Sequence, residues 1–205
     1  MGNPNDREFQ IDVIKQTLHL LERPSGPLLE QYPYDAQETM SETDQLACPV
    51  NFTPCSEAKT DSEKLLQHFQ TELNTMHTWF SIACERRGRT SSGVSGLSPD
   101  EIGTLFSDFI SGADSGNVFA GKKRADLLRL AAEDLKACYL GGISAQPGQT
   151  TDIKTLSDWF WGQTYAALVI NELRLKCLTY EEMDMLLAGK LLLIPRNQMH
   201  RFEAQ

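Results

Sequence analysis

Residues 61–87 read DSEKLLQHFQTELNTMHTWFSIACERR, and their spacing decides the fold class. Leu66, Phe69, Leu73, Met76, Phe80 and Ala83 recur at intervals of three and four, the period that lines up side chains on one face of an α-helix. Thr60 or Asp61 is placed to cap the start, since a side-chain oxygen there can accept from the free N–H groups of the first turn. Arg86 and Arg87 suit the far end, where the helix dipole favours cations. The stretch predicts one long helix that must bury its stripe against other elements.

The flanking sequence supplies those elements. Gly88 to Leu97 is a loop of Gly and Ser. Ser98 then caps a third helix, with Pro99 at its first position, Asp100 and Glu101 in its first turn, and Leu105, Phe106, Phe109 and Ile110 inward. A fourth helix is expected over Lys122–Ile143, with Gly141-Gly142 loosening its end. Gln146–Gln149 reads as a turn. A fifth, long helix is expected from Thr151 or Asp152 through Cys177, and a short sixth over Glu181–Leu187. Upstream, Phe9, Val13, Ile14, Leu18 and Leu21 mark a first helix that Pro24 stops. Nothing alternates at period two for long enough to build a sheet. The fold class is all-α, an antiparallel bundle of about five to six helices. One domain over 1–205 is expected, made of a first helix (6–23), an arm (24–58), the bundle (60–190) and a tail (191–205). The arm carries Pro24, Pro27, Pro33, Pro49 and Pro54 with Tyr32, Tyr34 and Phe52 as apolar anchors. It reads as an ordered segment lying over the helices.

Composition limits the function classes. Hydrophobic residues make up 40% of the 205 and charged residues 23%, enough to support a core. A net charge of −9 is the wrong sign for coating nucleic acid or adhering to anionic lipid. The longest apolar run, Ala166–Ile170, is too short to span a bilayer. With no apolar leader after the polar first residues, a cytoplasmic chain is expected, its five cysteines held as thiols.

A few polar residues are oddly placed. Cys48 and Cys55 flank a proline-stiffened loop and could bind a soft metal or cycle to a disulfide. Their spacing matches neither a redox C-x-x-C nor a zinc ribbon. His77 lies in register with Leu73, Phe80 and Cys84, while His68 and Glu72 are placed on a largely solvated flank. Asp134 shares a face with Leu127, Ala131 and Cys138 and needs a partner if buried. Glu172 belongs to a polar seam with Asp158 and Tyr165. His77, Asp134 and Glu172 would be an incomplete set for a carboxylate-bridged metal pair, because no Glu-x-x-His motif accompanies them.

Two basic groups are candidates for an anion, Arg86-Arg87 with Arg89, and Lys122-Lys123-Arg124. The second crowds a helix N-terminus, where an anion would relieve the conflict of charge. Trp159-Phe160-Trp161 presents three rings that one helical face cannot take, since neighbours point about 100° apart. At least one ring should therefore meet the proline-rich arm, a ligand or another chain; packing in the core and against the arm is the first expectation, and an interface through Trp159, Trp161, Tyr32 and Tyr34 the second. No nucleophile, base and oxyanion set assembles, and the motifs leave any cofactor undetermined. The expectation is a non-catalytic helical protein that binds a protein partner or itself, such as an accessory or regulatory subunit. A small metal- or thiol-dependent enzyme and a phosphate-responsive binder are the alternatives.

Overall fold

The long helix forms where its stripe predicts, as α2 (Asp61–Arg87), and Phe69 and Leu73 on it are fully enclosed. A computed structural model describes residues 6–27, 29–34, 61–113, 121–146 and 153–203. Every regular element among them is helical, and none of these helices is long and apolar enough to cross a membrane. The chain divides into two compact units, Met1–Asp44 and Gln45–Gln205.

In the first unit, α1 (Arg7–His19) begins at Asp6, whose side chain accepts from Phe9 N at 3.2 Å. A 3-10 turn, Leu20–Glu22, continues it. The chain then folds back, and Tyr32 donates its hydroxyl to Asp12 Oδ2 at 2.6 Å. The Tyr32 ring meets Phe9 edge-on, with centroids 5.6 Å apart, and Tyr34 beyond it at 5.8 Å. Only residues 24–27 and 29–34 of the proline-rich arm belong to the described residues; the remainder, Cys48 and Cys55 included, lies outside them.

The second unit is a helical bundle. Its α2 packs against α3 (Pro99–Ser111), α4 (Arg124–Ile143) and α6 (Tyr165–Cys177). The predicted box at Ser98 is present, with Ser98 Oγ accepting from Glu101 N and Glu101 accepting from Ser98 N at 2.7 Å. Gly141-Gly142 does not loosen α4. A Cβ on Gly142 would stand 2.8 Å from the Met76 carbonyl oxygen and 3.4 Å from Phe80 N, so the missing side chain is what lets α2 approach.

The expected long fifth helix is two helices. α5 (Ile153–Gln163) ends at Thr164, whose backbone is extended (φ −109°, ψ 147°), and α6 starts at Tyr165. Thr164 serves both ends. Its hydroxyl donates to Phe160 O at 2.7 Å and accepts from Ala167 N at 3.1 Å, the behaviour that makes threonine a good N-cap and a poor interior residue. A short α7 (Met183–Leu187) runs into a π turn over Ala188–Leu192. Leu191 and Leu192 close the π turn, and Leu193 and Ile194 beyond it are buried. Arg196–Arg201 is a 3-10 helix tied to α5 where Asp158 Oδ1 accepts from Gln198 Nε2 at 3.1 Å and from Arg201 Nη2 at 2.9 Å.

Candidate functional site

The residues singled out for chemistry are dispersed. Among the described residues no three His, Cys, Asp or Glu side chains converge as a metal site would require. His77 is half-buried on α2 and Glu172 half-buried on α6. The thiols of Cys138 and Cys177 are enclosed, and burial pushes them up to about 12 and about 11. Both are protonated packing groups at neutral pH.

Asp134 is buried, as its register implied, and its partner is the loop before α3. Its two oxygens accept from Gly93 N at 2.7 Å, Val94 N at 3.1 Å and Ser95 N at 2.8 Å, and from the Ser95 hydroxyl. Burial pushes this carboxyl up, but four donors outweigh it and leave the pKa below the ordinary carboxylate value. Lys122 completes the anchor by donating to Ser95 O at 2.6 Å. The Gly-Ser loop is therefore held by one aspartate and one lysine.

Glu72 reverses its expected placement on a solvated flank. It is buried, accepting from Tyr139 Oη at 2.9 Å and from the backbone N–H groups of Tyr165 and Ala166 at 3.0 Å each. A carboxylate from α2 thus satisfies the first free donors of α6, where the helix dipole also favours negative charge. Desolvation still exceeds these hydrogen bonds and raises its pKa. His68, one turn earlier, stacks on the Tyr165 ring at 4.8 Å. A sequence signal was present, because Glu72 falls three residues after Phe69 and four before Met76, inside the apolar stripe. The Glu72 carboxylate is met by three donors, and it joins α2, α4 and the α5–α6 break.

The basic groups separate. Arg86 donates to Ala145 O at 3.1 Å and Arg87 to the Ser144 hydroxyl, so both close the C-terminal end of α4. Lys122, Lys123 and Arg124 stand at its N-terminal end, about 30 Å away along a 20-residue helix. Arg89 and Lys123 are exposed. Arg86, Arg87 and Lys122 are thus occupied with the chain's own oxygens, and the two groups do not form one anion site.

The aromatic triplet is buried in full. Phe160 meets Tyr139 edge-on at 5.5 Å and Trp161 at 5.0 Å, Trp159 stands 6.4 Å from Tyr139, and Phe202 covers Trp161 at 6.2 Å. The surplus ring is met by the chain's own C-terminal helix, leaving neither Trp159 nor Trp161 on the surface of the bundle. In the first unit Tyr32 is half-buried and Tyr34 exposed. The hydrogen bond to Asp12 pushes the Tyr32 phenol up to about 12.

No family model, curated protein or solved structure matches this chain.

What remains unsatisfied is apolar. No residue of α1 is buried, and Ile11, Ile14 and Leu18 on it and Leu21 in the 3-10 turn that follows rise from 39% to 81% exposed. These positions keep the spacing of three and four that builds one stripe.

Proposed function

We propose that this is a non-catalytic partner-binding protein, an accessory or regulatory subunit, whose N-terminal helix docks in an apolar groove of another polypeptide. The observation that carries the reading is the solvent-facing row Ile11, Ile14, Leu18 and Leu21. A 13-residue helix is marginal in water on its own. The Asp6 cap and the Tyr32 hydroxyl on Asp12 hold it in helical form with its apolar row outward. Anchors at this spacing are what an amphipathic helix offers to a protein groove. Arg7 and Lys15 are balanced by Glu8 and Asp12, so the helix lacks the cation excess that directs amphipathic helices to anionic membranes.

The test is a native mass spectrum of the protein gently purified from its own cell, set beside the Ile14→Asp/Leu18→Asp variant. A second polypeptide at fixed stoichiometry, lost in the variant while the bundle's melting temperature is unchanged, supports the reading. A bare chain in the wild type, or a partner the variant retains, overturns it.

A further inference from the structure

The consecutive backbone N–H groups of Gly93, Val94 and Ser95 converge on one carboxylate, that of Asp134, 39 to 41 residues away. Successive N–H groups aimed at a single point form the concavity in which proteins hold anions. Glycine at two positions gives the loop this shape. Gly93 has φ 126° and Gly96 φ 82°, conformations that a residue with a side chain rarely adopts. Ties that do not involve Asp134 fix the rest of its outline. Gly96 N donates to Gly93 O at 3.2 Å, Leu97 N to Ser95 Oγ at 3.1 Å, and Lys122 Nζ to Ser95 O at 2.6 Å. Just ahead, Thr90 Oγ1 accepts from Ser92 N at 3.1 Å, and the capping box at Ser98 begins α3 directly behind. The donors are thus three N–H groups and the buried Ser95 hydroxyl, with the Lys122 ammonium beside them. Phosphate-binding loops present the same kinds of group.

We propose that the Gly93–Ser95 loop is an oxyanion receptor kept closed by the chain's own Asp134, an autoinhibitory contact in which an internal carboxylate takes the place of an external one. The neighbours of Asp134 on α4 explain why it wins that place. Ala131, Leu135 and Cys138 are enclosed in the bundle, so the helix delivers the carboxylate at a fixed position, and a free anion must compete with a tethered one. Cutting the side chain back to Cβ removes the competitor and leaves the room of one carboxylate. Formate is the missing piece, and the class of ligand is a compact oxyanion. Asp134→Asn, by contrast, keeps the room filled and sets an amide against the same donors. The proposal is independent of the partner suggested for α1, because its residues lie in the other unit.

The full chain carrying Asp134→Ala, titrated with sodium formate beside sodium chloride of equal concentration, tests it. At an affinity of about 20 mM, formate at about 200 mM should raise the melting temperature by roughly 3–6 °C above the chloride control. Hydrogen exchange should show the amides of residues 93–95, unprotected in chloride, regaining protection in formate. Wild type and Asp134→Asn should respond alike to the two salts. Adding Ser95→Ala to Asp134→Ala removes one donor and should weaken formate binding several-fold. Should Asp134→Ala fail to fold in chloride, its refolding yield in formate reads the same site, and equal yields in the two salts overturn the proposal. So does a formate response no larger than that to chloride, an equal response from wild type or Asp134→Asn, or an undiminished one from the variant that also carries Ser95→Ala. A rise in melting temperature without restored protection at residues 93–95 overturns it as well.

Discussion

Replacing Glu72 by Ala removes the acceptor that joins three helices. Two of the donors it leaves, Ala166 N–H and Tyr139 O–H, belong to residues with no exposed surface, so water cannot replace the carboxylate. The third, Tyr165 N–H, is only partly buried. A stranded buried donor costs about 1–3 kcal/mol, which puts the loss for the two enclosed groups at about 4 kcal/mol. For a unit of this size that lowers the melting temperature by roughly 8–16 °C. Glu72→Gln is the informative companion. One oxygen can still serve Tyr139 and Ala166, while the amide nitrogen opposes Tyr165 N–H, so the expected cost is about 1–2 kcal/mol. The two forms should also differ in pH dependence. Burial holds the Glu72 pKa above its ordinary value of 4.5, so the folded chain binds that proton more tightly than the unfolded one. The stability this contributes is complete below about 4.5 and is lost as pH rises through the folded-state value. Wild type should therefore weaken over that window relative to Glu72→Gln, which has nothing to titrate. Thermal unfolding by far-ultraviolet circular dichroism, repeated across pH, reads both effects. An Ala variant within about 1 kcal/mol of wild type, or identical pH profiles for wild type and Gln, would refute the account of the joint.

Three further outcomes follow from the same packing. Gly142→Ala should destabilise the bundle by about 1–2 kcal/mol despite alanine's better helix propensity, because a methyl group must push against the backbone of α2; urea unfolding measures it, and a stabilised variant would contradict the close approach. Asp134→Ala should release the loop from Gly93 to Ser95 and cost about 3 kcal/mol, most of it at the buried Ser95. Hydrogen exchange should then show the amides of residues 93–95 losing protection, and unaltered exchange would mean that the carboxylate does not hold the loop. Phe202→Ala should uncover Trp161, shifting tryptophan emission to the red with a loss of about 1–2 kcal/mol; unchanged emission would show that the C-terminal helix does not cover the ring.

The apolar pattern was legible wherever helices were long or strongly capped. α2, α3 and α4 stand within two residues of their expected bounds, because a stripe of period 3.6 and a Ser98 cap act locally. The break at Thr164 was harder to see. Apolar spacing continues straight through residues 153–177, and threonine is compatible with a helix interior until another group takes the N–H donors that follow it. That group is Glu72, more than ninety residues earlier in the chain. The triplet 159–161 gave a correct geometric problem, three rings for one face, whose answer was Phe202 from the C-terminal end rather than a ligand or a second chain. The partners of the basic clusters were hidden for a similar reason, since the oxygens that Arg86, Arg87 and Lys122 reach belong to residues 27 to 59 positions away.

Sequence alone determined the all-α fold class and which residues of the described helices line the core. Hydrophobic periodicity, capping and net charge are local or summed properties, and each can be read without knowing who neighbours whom. Tertiary structure alone decided the fate of the polar residues. Glu72 became an inter-helix cap, Asp134 a loop anchor, and the arginines of α2 the closure of α4. A buried polar group is defined by its partner, and in this protein the partners come from distant parts of the chain.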